Sequence, residues 1–390
     1  MKKILILLFM LATGVCGFAA DPLLDDIEKN NTTLRALRAQ MEAEKAEARS
    51  GLALPDPEVE FAYLWGSPTP APGRKDVSFS QTLDFATISG ARRRVANRQC
   101  DVAELEYRRA RQQILLEAQQ SIINLQCADT LLSLSRHRLA EAQQTAEGWH
   151  KRLEHGEAEA IEVGKIDLAV TLLTGEVQQA EVERTAVLAQ LTTLNGGQPI
   201  ASVPCDSIAA SLPPSFDEWY QQVSASSPVI QYAAAQERLA AQQLKLAKSE
   251  NMPQLSVGYM GELVKGDNYQ GVKAGLTIPL WGNSSRVKAA RAAHEAAEAT
   301  LQDAAVQFCG NLRAQYDRTL GLLRVAQTYE AGAAKHDNGH LLQKALVAGQ
   351  ITLTDYLSEM ALRHETQVRV IEAWRDYRLA IAQLYAVQEY

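Results

Sequence analysis

The sequence predicts a mainly α-helical protein with a small β part, built as two tandem repeats of a strand pair followed by a long helical hairpin. Two pairs of segments alternate apolar and polar residues, and long proline-free stretches follow each pair. Glycine landmarks recur at matching distances: 66 positions separate Gly90 from Gly156, and 67 separate Gly282 from Gly349. Equal spacing of paired landmarks indicates an internal duplication.

Residues 1–20 are predicted to be a secretory signal peptide. Lys2 and Lys3 precede an apolar run that ends at Val15, and the small residues Ala19 and Ala20 follow. Such a basic, apolar and small-residue order marks a cleaved export signal, and the run is too short to remain as a membrane span. A lipoprotein signal acylated at Cys16 is the alternative, which the preceding valine disfavours.

Composition favours long helices and argues against a nucleic-acid partner. Aromatic residues make up only 6% of the chain, while apolar residues make up an ordinary 46%. The net charge of −7 argues against nucleic-acid binding, which usually requires a basic face.

The first repeat, residues 21–195, begins with a helical lead-in and two strands, at about 57–65 and 76–85. One face of these strands is apolar except at Gln81, and its other members are Val59, Phe61, Tyr63, Trp65, Val77, Phe79, Leu83 and Phe85. The opposite face carries Glu58, Glu60, Ser78, Ser80 and Asp84. Period-two alternation places one face on an apolar medium and the other in water.

The second repeat, residues 228–390, shows the same alternation in strands at about 254–263 and 270–280. Leu255, Val257 and Tyr259 alternate with polar or small residues, and Gly266 begins the turn. Strands of nine or ten residues are long enough to cross a bilayer when tilted. The alternative is a pair of ordinary amphipathic hairpins on a soluble core, and the export signal favours the membrane.

Each strand pair leads into a long helical hairpin. The first spans 89–195 with its tip near residue 156, and the second spans 283–386 with its tip near residue 349. The returning helix of the first hairpin has apolar residues at alternating spacings of three and four, the pattern of a heptad seam. Residues 196–227, rich in glycine and proline, form a linker between the repeats.

The strands require neighbours from other chains. Four strands cannot close a barrel, and an open sheet edge cannot lie in lipid. Three copies would supply twelve strands and twelve helix columns around a polar lumen. The sequence therefore predicts an oligomer.

Three features are similar to those of the TolC-like outer-membrane factors, in the branch that serves RND-type pumps. They are the duplicated layout, the strand-to-helix motif Ile278-Pro279-Leu280-Trp281-Gly282 and the tip segment Val347–Leu357. The resemblance covers about residues 22–387. It implies a homotrimer with a 12-stranded outer-membrane β-barrel and a 12-helix periplasmic α-barrel. It also implies contact with outer-membrane lipid, with a periplasmic membrane-fusion adaptor protein and, directly or indirectly, with an inner-membrane RND-type pump.

The resemblance also implies where function lies in the chain. The hairpin tips would meet the adaptor, through Arg152, Leu153 and Gly156 in one repeat and Leu346, Gly349 and Thr352 in the other. A gate at the lumen constriction would be formed by Asp355 and Glu162, each six positions after its tip glycine. Plain helix termination and a solvated helix face are the structural alternatives.

The implied function is a passive exit duct in the cell outer membrane, part of a tripartite efflux system. A type I protein secretion duct has the same fold and stays open as an alternative, and a periplasmic coiled-coil adaptor is a further one. An adaptor would carry one hairpin rather than two. No nucleotide-binding, metalloprotease or hydrolase motif occurs, so we expect no enzymatic activity, no cofactor and no metal ligands.

Overall fold

The computed structural model describes residues 22–65, 73–200, 211–278, 283–336 and 339–387. The predicted signal peptide, Cys16, most of the strand-to-helix motif and positions 201–210 of the linker lie outside these residues. Among the described helices, none is both long enough and apolar enough to cross a membrane.

The first repeat runs through seven elements and the second through six. The first contains α1 (Pro22–Asn30), α2 (Thr32–Ser50), β1 (Glu58–Leu64), β2 (Arg74–Leu83), α3 (Phe85–Ile88), α4 (Ala91–Glu154) and α5 (Ala160–Leu194). After α6 (Phe216–Ser224) in the linker, the second contains α7 (Pro228–Ser249), β3 (Gln254–Val264), β4 (Asp267–Thr277), α8 (Asn283–Lys335), α9 (Gly339–Val347) and α10 (Leu353–Tyr385). The protein is mainly helical with one small sheet, as predicted.

The four strands form a single antiparallel sheet in the order β1-β2-β3-β4. The central pairing of β2 with β3 joins the two repeats, and Phe79 lies opposite Tyr259 in it. Within the described part of the chain, β1 and β4 are edge strands with one neighbour each. The sheet therefore has two open edges in a single chain.

The two faces of this sheet differ in polarity. Cross-strand pairs such as Phe61–Val77 and Tyr259–Val272 place the apolar residues on one face. That face is open to solvent in the single chain: Val272 is 86% exposed and Phe61 is 65% exposed. On the opposite face the Ser78 hydroxyl donates to Glu60 at 3.4 Å, and Arg74 lies 3.1 Å from Glu262. An exposed apolar face of this size indicates burial against something outside the chain.

The prediction that strand 76–85 ends with Asp84 on the wet face and Phe85 on the apolar face is wrong. β2 ends at Leu83, and Asp84 is only 4% exposed because it is the N-cap residue of α3, with its side chain turned toward the start of that helix. It accepts hydrogen bonds from Ala86 N at 3.1 Å and from the Thr87 hydroxyl at 2.9 Å, and it pairs with Arg92 at 3.0 Å. Burial opposes ionisation of Asp84, but these partners together hold the pKa of its carboxyl below the ordinary value.

Basic residues after the landmark glycines connect the repeats where strands change to helices. Arg92 on α4 lies 3.4 Å from Glu250, which also accepts a hydrogen bond from Arg286 on α8 at 2.9 Å. Glu250 follows directly after α7. One carboxylate thus ties the starts of both long helices to the end of α7.

The long helices pair lengthwise. α4 has 64 residues and extends about 96 Å at ~1.5 Å per residue, and it contacts α2, α5, α7 and α10. The predicted seam of α5 is buried at Val163, Ile166, Leu173, Val177 and Leu191. The rising arm of the second hairpin is described as two helices, since α8 ends at Lys335 and α9 begins at Gly339.

Candidate functional site: the paired helical tips

Both hairpins reverse direction through the same backbone motif. In the first, Gly156 N donates to Leu153 O at 3.0 Å and Glu157 N donates to Arg152 O at 2.8 Å. In the second, Gly349 N donates to Leu346 O at 3.1 Å and Gln350 N to Ala345 O at 2.9 Å. Both glycines have positive φ, 73° and 68°, as this helix-ending motif requires.

Both returning helices begin with a capping box. The hydroxyl of Thr352 accepts a hydrogen bond from Asp355 N at 3.1 Å, and the Asp355 carboxylate accepts from Thr352 N at 3.3 Å and from its hydroxyl at 2.6 Å. Glu162 accepts from Glu159 N at 3.4 Å at the same step of the first repeat. The two predicted gate carboxylates are therefore also the third residues of their helices, where negative charge favours the helix start.

The two tips share one hydrophobic core. It contains Ala146 and Trp149 of α4, Val163 and Ile166 of α5, Leu346 of α9, and Leu353 and Tyr356 of α10. Ile166 is fully buried and Leu353 is 2% exposed. Since each hairpin contributes apolar residues to the other, the tips form one four-helix end rather than two free turns.

Polar contacts hold the rim of this end. The Arg152 guanidinium lies 4.7 Å above the Trp149 ring, a cation–π contact. Across the hairpins, the Lys165 ammonium donates to the Thr354 hydroxyl at 3.0 Å. That bond places the beginnings of α5 and α10 side by side, with Glu162 and Asp355 near it in sequence.

The structure sorts the predicted contact residues into accessible and buried ones. Gly156, Gly349 and Thr352 are exposed, and Arg152 and Leu153 are half-buried. Leu346 is only 4% exposed, so its side chain is not accessible in the single chain, and its part in an adaptor contact stays a prediction. It packs inside the tip core, because it lies on the inner face of α9. Of the two predicted gate residues, Asp355 is exposed and Glu162 is half-buried.

A polar cluster that sequence reasoning missed lies farther along the helices. His364 of α10, Arg138 of α4 and Glu176 of α5 meet there, with Arg138 Nη1 at 3.4 Å and His364 Nε2 at 3.9 Å from the same Glu176 oxygen. Burial, assisted by the positive charge of Arg138, lowers the pKa of His364 to about 4. The histidine is therefore neutral near pH 7.

Comparison with known proteins finds one family model and several solved structures that are similar to this chain. Residues 219–388 match the sequence model of the family described as "Outer membrane efflux protein". The matched stretch covers part of α6 and nearly all of the second repeat. The predicted resemblance is confirmed. No curated protein matches the chain in sequence.

Solved outer-membrane channels share the fold of this chain over most of their length. The outer membrane protein VceC of Vibrio cholerae aligns with a TM-score of 0.77 at 15% identity, over 94% of this chain and 95% of that one. The MtrE outer membrane channel of Neisseria gonorrhoeae, in its open state, aligns with a TM-score of 0.76 at 15% identity, over 94% and 88%. A membrane protein of Pseudomonas aeruginosa aligns with a TM-score of 0.77 at 16% identity, over 94% and 89%. At these identities the likeness establishes the fold, in both repeats.

Proposed function

We propose that this protein is the outer-membrane channel of a tripartite efflux system, a passive exit duct for substrates delivered by an inner-membrane pump and a periplasmic adaptor. The observation that carries the proposal is the sheet. It has an exposed apolar face, a polar face and two open edges, and it is continuous with helical hairpins about 100 Å long.

Closure of the sheet explains both its faces and its edges. A strand edge in lipid leaves backbone groups without hydrogen bonds, which costs several kcal/mol per group. Pairing β1 of one copy with β4 of the next removes every edge when the ring closes, and three copies supply twelve strands. The apolar face then meets lipid and the face with Glu58, Glu60 and Ser80 lines the lumen.

The helices continue the same ring into the periplasm. α5 buries its seam against α4 but keeps a second apolar set exposed, with Ile161 at 70%, Leu168 at 67% and Leu172 at 70%. A helix with apolar residues on two sides requires two neighbours. In a homotrimer the neighbouring copy supplies the second one, and twelve helix columns form the tunnel.

The tip is the end of the duct and the place for the adaptor and the gate. The exposed turn at Gly156 and Gly349, with Thr352, Arg152 and Leu153 beside it, gives the adaptor a surface at the end of each hairpin. Glu162 and Asp355 lie at the same step of the two repeats, so a trimer would bring six carboxylates to one level. Such a ring attracts cations and repels anions.

A matched pair of variants tests this assignment. Phe79 and Ser80 are adjacent on β2 and lie on opposite faces of the sheet. Phe79→Lys places a charge in lipid, at a cost of about 2–4 kcal/mol near the bilayer centre, whereas Ser80→Lys faces the lumen at little cost. We expect heat-modifiable trimers in the outer-membrane fraction for the wild type and Ser80→Lys, and their loss for Phe79→Lys.

The outcomes also separate the alternatives. A soluble periplasmic monomer, insensitive to Phe79→Lys, would contradict the channel and favour the periplasmic adaptor. A type I protein secretion duct would give the same trimers, so it is distinguished by cargo. Deletion of the gene should abolish export of a small toxic compound and leave secretion of proteins unchanged.

A further inference from the structure

Three side chains suited to a metal ion meet where α7 lies against α8. Glu237 comes from α7, and His294 and Glu298 come from α8, four positions apart. Residues four apart lie on the same face of a helix, so both α8 side chains point at the same stretch of α7. This cluster is on neither the tip nor the sheet.

The distances suit direct coordination. His294 Nε2 lies 3.1 Å from Glu237 Oε1 and 3.8 Å from Glu298 Oε1, and the three ligand atoms all lie within 4.8 Å of one another. A tetrahedral zinc ion with ligands at ~2.1 Å holds them about 3.4 Å apart. The observed separations bracket that value, so small side-chain rotations complete the site.

The charge and burial of the three side chains also favour a cation site. The side chains of Glu237 and His294 are only 24% and 21% exposed, while that of Glu298 is 54% exposed. Within the described ranges, neither carboxylate has a lysine or arginine nitrogen at ion-pair distance; histidine is the basic partner of both. The two carboxylates carry a combined charge of −2, which a divalent cation balances.

The first repeat shows that the helix pair does not need this cluster. Val102 and His294 are each the twelfth residue after their landmark glycines, and Lys45 and Glu237 each lie 57 positions before them. Val102 is apolar and 8% exposed, and the Lys45 ammonium lies 3.4 Å from Glu104 of α4. Where the first repeat has an apolar residue and a lysine–glutamate ion pair, the second has a histidine and two carboxylates.

We propose that Glu237, His294 and Glu298 form a binding site for a divalent transition-metal cation of the zinc type, which fastens α7 to α8. Imidazole and carboxylate ligands together suit zinc, and three protein ligands leave one position open to water. The site goes beyond the channel function and does not depend on it. It also departs from the expectation, drawn from sequence, of no metal ligands.

Zinc titration of the full-length protein in detergent, stripped of metal with a chelator, tests the proposal. Isothermal calorimetry should show one zinc ion per chain, and zinc should raise the thermal midpoint of the protein in a saturable way. His294→Ala and Glu237→Gln should each weaken zinc binding at least about tenfold, since even loss of an outer-shell partner costs about 10- to 100-fold.

Two controls keep the result specific. Glu295→Gln changes an exposed neighbour on α8 outside the cluster, and His340→Ala removes a histidine of α9 that has His336 four positions before it. Both should bind zinc as the wild type does. Wild-type affinity in His294→Ala, no saturable binding in the wild type, or loss of binding in His340→Ala would each overturn the proposal.

Discussion

Replacing Asp355 by asparagine together with Glu162 by glutamine separates the two roles that the structure gives these residues. Both carboxylates close capping boxes, and both are proposed to form the charged ring at the tunnel constriction. The amides keep an oxygen that can accept the capping hydrogen bonds but carry no charge. The double alanine variant removes the charge together with the hydrogen bonds that these carboxylates accept from the N-cap residues, but the Thr352 hydroxyl can still accept from the backbone N–H at position 355.

The structure sets the size of the stability effect. Loss of a helix cap costs typically ~1 kcal/mol, and each carboxylate supplies about half of its capping box, so the double alanine variant should lose about 1 kcal/mol per chain at the tips. A charged partner makes a hydrogen bond roughly twice as strong, so the amide variant should lose only about half of that. The short 2.6 Å bond from the Thr352 hydroxyl to Asp355 is the contact most affected by neutralisation.

Single-channel recording in planar bilayers reads the charge effect. A ring of carboxylates that holds cations slows their exit, so neutralisation should raise conductance and lower the preference for cations over anions. We expect both changes in the amide variant. A conductance increase in the alanine variant with none in the amide variant would refute the charged ring, because loosened caps would then account for it.

Three further predictions concern stability, read as helical circular dichroism during denaturation. Leu353→Ala, in the shared tip core, should destabilise the protein by about 2–5 kcal/mol, and an effect below ~1 kcal/mol would contradict a common core. Gly156→Ala should destabilise the protein by ~1 kcal/mol, because φ is positive at this position. Gly148→Ala should stabilise it by about 0.5–1 kcal/mol, because Gly148 lies inside α4 and a Cβ added there meets open space. Equal effects of the two variants would exclude the helix-ending motif. His364 has a pKa of about 4 in the folded protein, below its ordinary value of 6.5. Between pH 6.5 and 4 the unfolded chain therefore binds a proton that the folded protein does not. The free energy of unfolding should fall as the pH drops through this window, by about 3 kcal/mol at most. His364→Gln should flatten this loss, and an unchanged pH profile would argue against the buried neutral imidazole.

Period and spacing in the sequence were enough to predict the repeated layout. β3 (Gln254–Val264) lies within one residue of its predicted bounds. The prediction succeeded there because the alternation of Leu255, Val257 and Tyr259 with polar or small residues fits a strand and does not fit a helix. β2 was misplaced by two residues at each end. Asp84 and Phe85 continue the alternation in sequence, but Asp84 is the N-cap of α3 and Phe85 is its first residue, so the strand ends at Leu83.

The site was predicted only in outline, since most of it depends on contacts between distant residues. Thr352 and Asp355, spaced as a capping box, offered a local signal that could have been used. Burial of Leu346 could not be read locally, because it depends on packing against the other hairpin. Glu237 and His294 are 57 positions apart, and only the packing of α7 on α8 brings them together.

Native mass spectrometry of the protein extracted from outer membranes tests the central claim most directly. Closed pairing between the edge strands β1 and β4 of neighbouring copies predicts a complex with three times the mass of the mature chain. Phe79→Lys should abolish this complex and Ser80→Lys should preserve it. A monomer, or a complex recovered only from the soluble periplasmic fraction, would contradict the account.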